Sequence, residues 1–149
     1  MEEALKNKNI TLPQLCQALL LLTGAGHVAC VNNDDGIAKA KESSKRCNDF
    51  IRQLSRGSQD IVYQASPVTG GGIIVNRLEQ LFLFGKNQGC RTTLELSNFV
   101  WSILNEFGQK LMKEGNTLMS DKENLEELQR KANEFMDKRL KILEALQIA

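Results

Sequence analysis

Apolar residues fall along the chain in a pattern that alternates helical periods with three short β-prone runs. The first ten residues, 1–10, are polar and without period, and a disordered lead-in is expected there. Thr11-Leu12-Pro13-Gln14 then reads as a helix start: a threonine cap, a proline in the first turn and a glutamine placed to close a capping box. Leu12, Leu15, Ala18, Leu19 and Leu22 form a broad stripe that Gly24 and Gly26 stop. His27 to Val31 is short and β-prone, and Asn32 to Gly36 is a loop by composition. A helix is predicted from Ile37 or Ala38 to about Arg56, with Ala40, Ser44, Cys47, Phe50, Ile51 and Leu54 near one face. Asp60–Ala65 and Ile73–Val75 flank Pro67 and three glycines, the signature of a hairpin. Another helix follows from about Asn76 to Asn87.

Two further capping boxes open the last helices. Thr92-x-x-Glu95 starts one that carries Leu96, Phe99, Val100, Ile103, Leu104, Phe107, Leu111 and Met112 and ends at Gly115. Ser120-x-x-Glu123 starts another in which Leu125, Leu128, Ala132, Phe135, Arg139, Ile142 and Leu146 repeat at alternating spacings of 3 and 4. That seam predicts lengthwise pairing with the 94–112 helix, with Arg139 at the edge of the pair or against a carboxylate. The expected class is α+β, mostly helical: a winged-helix-like core over 11–91 (helix, short strand, helix, β-hairpin) with an antiparallel helical extension over 92–149 packed on the same domain.

Composition narrows the function. The chain has 149 residues, enough for one sizeable core, with 42% hydrophobic and 25% charged positions. No apolar run exceeds Ala18–Leu22 and Glu2 and Glu3 occupy the place of a basic leader, so a soluble, cytoplasmic protein without membrane insertion is expected. Lys and Arg number 19 against 18 acids, so no global charge favours nucleic acid. Locally, however, Lys39, Lys41, Lys45, Arg46, Arg52 and Arg56 against Glu42 and Asp49 give the 38–56 helix a net charge of +4. In a winged helix that element can enter a major groove, which makes a nucleic-acid-binding protein one alternative function. Nucleic acid is disfavoured by the wing region, which has no Lys or Arg between Ser58 and Asn76. The heptad seam raises a second alternative, an oligomerisation module that pairs with its own copy.

Enzyme chemistry finds little support. Cys16, Cys30, Cys47 and Cys90 lack the close pairs of a zinc site, and reduced, partly buried thiols are expected. His27 is the only histidine and is read as a turn or strand-end residue. Thr69-Gly70-Gly71-Gly72 is not followed by Gly-Lys-Ser/Thr, so it reads as a tight wing turn and not as a phosphate loop. No catalytic, cofactor-binding or metal-ligating residue is assigned. Candidate partner contacts are Ser66, Pro67, Thr69, Gly70, Gly71 and Gly72 in the loop, through exposed backbone groups. A second set, Lys45, Arg46 and Arg52 on the basic face, can hold an acidic protein surface.

Two stretches carry a family resemblance. Tyr63-Gln64-Ala65-Ser66-Pro67-Val68-Thr69-Gly70-Gly71-Gly72-Ile73 with Arg77-Leu78-Glu79-Gln80-Leu81 resembles a signature near the end of a group of bacterial S-adenosylmethionine-dependent methyltransferases. Gly108-Gln109-Lys110-Leu111-Met112-Lys113-Glu114-Gly115 with Ser120-Asp121-Lys122-Glu123-Asn124-Leu125 resembles their closing region, and the likeness covers about residues 11–148. Those enzymes carry a methyl-donor domain, then a methyltransferase regulatory domain, then a C-terminal winged-helix module; the group includes lysine methyltransferases of rickettsial outer-membrane proteins. The donor domain has no counterpart here. The resemblance therefore implies a module that is not an enzyme on its own and holds no cofactor, S-adenosylmethionine belonging to the parent enzyme. Its implied partners are the methyltransferase catalytic domain, in cis or in trans, and a protein substrate.

Overall fold

The computed structural model describes residues 10–149, which fall in two compact units, 10–31 and 32–149. The predicted lead-in, up to residue 9, lies outside the described residues. In the first unit, helix α1 (Leu12–Gly24) starts where the sequence places it: the Gln14 side-chain oxygen accepts from the Thr11 N–H at 2.9 Å, and Pro13 sits in the first turn. Gly26, with φ +75°, ends the turn that follows. The short strand predicted at His27–Val31 does not form. Among the described residues strands pair only as β1 with β2 and β3 with β4, and this stretch has no ladder partner there.

The second unit begins with helix α2 (Asp34–Leu54), three residues earlier than the periodicity suggests. Asn33 is its cap, accepting from the Gly36 N–H at 2.9 Å, and Asp34 and Asp35 favour the positive end of the helix dipole. With these bounds the helix holds five cations (Lys39, Lys41, Lys45, Arg46, Arg52) and four acids (Asp34, Asp35, Glu42, Asp49), so its net charge is +1 and not +4. Its buried residues are Asn48, Ile51 and Arg52. Phe50, assigned above to the apolar face, is 61% exposed, and Leu54 and Cys47 are exposed too. The face is turned because Asn48 reaches a strand edge. Its amide brackets the Ala65 backbone, donating to the carbonyl at 2.8 Å and accepting from the N–H at 2.7 Å.

Strands β1 (Tyr63–Ser66) and β2 (Gly71–Ile74) form the predicted hairpin, Tyr63 opposite Ile74 and Ser66 opposite Gly71. Helices α3 (Arg77–Asn87) and α4 (Thr93–Glu106) follow, each opened by a capping box: Asn76 with Glu79, Thr92 with Glu95. Gly85 lets them approach, since a Cβ there would lie 2.9 Å from the Phe99 ring. The α4 helix stops earlier than predicted, because Gly108 takes φ +63°. Leu111 and Met112 therefore leave the helical stripe. Met112 enters a small hairpin of β3 (Met112–Lys113) and β4 (Asn116–Thr117), turned at Glu114 and Gly115, both with positive φ, and Leu111 flanks it, its carbonyl accepting from the Leu118 N–H at 2.9 Å.

Helix α5 (Asp121–Glu134) packs along α4 more extensively than any other pair of helices. A π-helical turn over Phe135–Arg139 then joins it to α6 (Leu140–Ala145). The wider turn takes up one extra residue and rotates the seam. Leu128, Ala132 and Phe135 are buried as the heptad requires, but beyond the turn Leu140 and Leu143 are buried and Ile142 is exposed. Arg139 stays at the edge, 3.2 Å from the Glu79 carboxylate. The class is α+β and mostly helical. One core gathers Val75, Leu81 and Phe82 with Val100, Leu104, Leu128 and Leu143.

Candidate functional site

The β1–β2 hairpin lies against the C-terminal half of α2, and a set of polar side chains joins the two to the end of the chain. Arg52 is at the centre, only 3% exposed. Its Nε donates to the Gln64 side-chain oxygen at 3.0 Å, one Nη donates to the Ile148 carbonyl, and the other lies 3.5 Å from Asp49. Burial lowers the Arg52 pKa, and Asp49 opposes that shift. The Ser66 hydroxyl donates to the Leu146 carbonyl at 2.7 Å. Helix α2, strand β1 and the C-terminal turn, where Gln147 has φ +53°, are thus tied together.

Beside this brace is an open cleft of about 580 Å³. Lys41, Lys45, Asp49 and Arg52 line it from α2, Phe84 and Asn87 from α3, and Gln147 and Ile148 from the C-terminal turn. Asp49 is held by Asn87, whose amide donates to it at 3.1 Å. At the rim, Lys86 pairs with Glu144 at 3.6 Å. Lys41 and Lys45 have no carboxylate within 4 Å among the described residues, so positive charge is left uncompensated on one wall. The arrangement is suited to holding carboxylates beside an aromatic ring; it offers no nucleophile with a base beside it. Among the described residues no three of His, Cys, Asp and Glu are grouped as metal ligands would be.

Of the contacts singled out from the sequence, the cleft brings Lys45 and Arg52 together. Arg46 is exposed on α2 but does not line it. Arg52 departs from the expectation of a solvated basic face: its guanidinium is committed to Gln64 and Ile148. The loop departs in part. Ser66 and Pro67 are buried, and Thr69 is half-buried with its hydroxyl oxygen unpartnered. Asn32 pins the loop, its backbone N–H donating to the Val68 carbonyl at 2.8 Å and its side chain to the Pro67 carbonyl at 3.0 Å. Gly70 has φ +68°, and a Cβ there would lie 2.9 Å from the Asn32 amide nitrogen. Only Gly70, Gly71 and Gly72 are exposed, so backbone contact to a partner is confined to them. The cysteines also differ from expectation: Cys16, Cys30 and Cys47 are exposed and only Cys90 is half-buried, because the segments bearing the first three turn them outward. Phe84, Asn87 and Gln147 were not singled out in the sequence, since only the folded chain brings them next to α2.

The motif residues have structural work. The Arg77 guanidinium donates to the Ser55 and Arg56 carbonyls just past α2, each at 2.7 Å, and to Gln109 at 2.7 Å. Gln80 donates to the Ile61 and Val75 carbonyls, each at 2.8 Å. Asn124, fully buried, accepts from the Leu111 N–H at 2.8 Å and donates to the Leu118 and Ser120 carbonyls, closing the second hairpin. These residues make polar braces, fully buried at Gln80 and Asn124 and half-buried at Arg77, which is why each type is needed at its position.

No protein-family model and no solved structure matches the chain. It is similar to a protein of Synechocystis sp. named "Uncharacterized protein sll1526", with 38% identity over 144 residues. The match takes in 97% of this chain but 28% of the length of that protein. Among the described residues no helix is long and apolar enough to cross a membrane.

Proposed function

We propose that the chain is a non-catalytic module of a larger S-adenosylmethionine-dependent methyltransferase, and that it engages a protein partner through the cleft of Lys41, Lys45, Phe84 and Asn87. One observation carries the modular half: a relative aligned over 97% of this chain has most of its own length elsewhere. Supporting it, the stretches that resemble the methyltransferase group are used here as braces, which leaves the chemistry to another part of the polypeptide. The partner is an acidic segment, either of a protein substrate or of the catalytic domain. Lys41 and Lys45 are one helical turn apart on α2 and are free to meet carboxylates, while Asn87 and Gln147 supply amide donors beside the Phe84 ring.

The test has two arms. Calorimetry with S-adenosylmethionine is expected to give micromolar binding to the full-length Synechocystis protein and none to this chain; failure of the full-length protein to bind refutes the methyltransferase assignment. In the second arm a labelled glutamate-rich decapeptide is titrated into this chain and into Lys41→Glu/Lys45→Glu. The double reversal is expected to weaken binding at least about tenfold, with wild-type affinity falling as salt rises. A change under twofold overturns the cleft. Tighter, steeply salt-dependent binding of duplex DNA in the same assay favours the nucleic-acid reading instead.

A further inference from the structure

From Ile10 to Asn33 the chain contains no Asp, Glu, Lys or Arg. Helix α1 lies inside this stretch, and its leucines are not confined to one face. At 100° per residue, Leu12, Leu15, Ala18, Leu19 and Leu22 make the stripe, while Leu20 and Leu21 extend it round both flanks. Only Gln14, Gln17 and Thr23 interrupt. A helix apolar nearly all round is a buried helix in the protein that uses it. Yet no residue of α1 is buried, and Leu12 and Leu20 are 72% and 75% exposed.

We infer that α1 is a docking helix that seats this region on the remainder of a longer polypeptide, in an apolar and uncharged groove. The other occupants fit less well. A 13-residue helix is about 20 Å long, so a helix about 10 Å wide presents roughly 200 Å² to a second copy. A stable interface needs about 800 Å² per partner. A lipid surface is held by Lys and Arg on the polar face of an amphipathic helix, and α1 has neither. A longer polypeptide meets both requirements, because it can surround the helix on several sides and need not carry charge. The alignment with the Synechocystis protein takes in 144 of 149 residues, so α1 lies within it, and most of that protein's length is left to supply the groove. The inference rests on the modular half of the proposed function and not on methyl transfer.

Hydrogen–deuterium exchange on the full-length Synechocystis protein and on its isolated aligned region tests it. Amides of the segment aligned with Leu12–Gly24 are expected to exchange at least about 100-fold more slowly in the full-length protein. Equal rates in the two samples overturn the inference, as does a concentration-dependent dimer that protects the helix in the isolated region. Flotation of the isolated region with phosphatidylcholine–phosphatidylglycerol vesicles also overturns it. In the present chain, Leu20→Gln/Leu21→Gln is expected to leave the urea midpoint unchanged; a lowered midpoint places the helix in this chain's own core and refutes docking. Donor binding is measured on the same full-length sample, so loss of the methyltransferase reading and loss of the docking helix are separate results.

Discussion

Replacing Arg52 by methionine tests the central brace directly. The substitution keeps much of the volume and removes a guanidinium that donates to Gln64 and to the Ile148 carbonyl in a site only 3% exposed. A hydrogen bond from a charged donor contributes about 1.5–3 kcal/mol net, and a buried group left without a partner costs about 1–3 kcal/mol. Gln64 is fully buried and its side-chain nitrogen already has no partner, so Arg52→Met leaves that amide wholly unsatisfied. Against this, the variant no longer desolvates a buried charge, which returns several kcal/mol of the loss. The net destabilisation is about 2–4 kcal/mol. Urea unfolding at pH 7, followed by the fluorescence of the single tryptophan, Trp101, reads it out. With a slope of about 1–3 kcal/mol per M, the midpoint falls by about 1–2 M. Arg52→Met/Gln64→Leu, which replaces both partners by apolar groups, is expected to recover about 1–2 kcal/mol. If Arg52→Met costs less than about 0.5 kcal/mol, the size of a surface change, the residue belongs to a solvated basic face and the brace is refuted.

Asn124→Ala removes three hydrogen bonds from a fully buried side chain and is expected to cost about 2–4 kcal/mol. Exchange of the Leu111 and Leu118 amides should rise more than that of the α4 core, whereas a uniform rise would show that the hairpin is not its local target. Glu127 accepts from Arg130 at 3.0 and 2.6 Å with Lys131 and Lys113 nearby, and its pKa is lowered to about 2, the Arg130 hydrogen bonds being the largest cause. Its ordinary value is 4.5, so the folded state binds the proton less tightly than the unfolded chain. That stabilisation is complete above about pH 5 and lost as pH falls through about 2. Since Arg130 and Lys113 are half-exposed, solvent screening leaves about 1–2 kcal/mol. Urea midpoints between pH 7 and pH 2 should converge for wild type and Glu127→Gln at the acid end; parallel curves would exclude Glu127 as the source.

What could be read from the sequence was local. The Thr11–Gln14, Thr92–Glu95 and Ser120–Glu123 boxes mark helix starts within a residue because a cap and the N–H it satisfies lie within one turn. The first hairpin was legible for the same reason, its strands separated only by the Pro/Gly turn. Arg52 was not. Arginine on a helix reads as solvated, and the acceptors that bury it are 12 and 96 positions away. The heptad seam failed at a definable place. Its spacing predicts Ile142 inside, but the π-turn at Phe135–Arg139 shifts the buried register to Leu140 and Leu143. A sequence period assumes an unbroken helix, and nothing in Phe-Met-Asp-Lys-Arg marks the wider turn. The 108–118 stretch was misplaced by the same reasoning: Leu111 and Met112 continue the α4 period numerically, whereas Gly108 had already ended the helix.

The motif residues and the cleft lysines are under different physical constraints. Gln64, Arg77, Gln80 and Asn124 are held by the need to satisfy buried carbonyls and N–H groups, and an exchange at any of them leaves an orphan inside the protein. Likeness at such positions therefore transmits the fold. Lys41 and Lys45 are under no such constraint: both are exposed and neither has an ion-pair partner among the described residues. They can be changed at a cost of a few tenths of a kcal/mol, so they are free to vary with the proposed partner. A related chain that keeps the braces and carries acids in place of both lysines is thus expected to share this structure and to bind a basic segment instead.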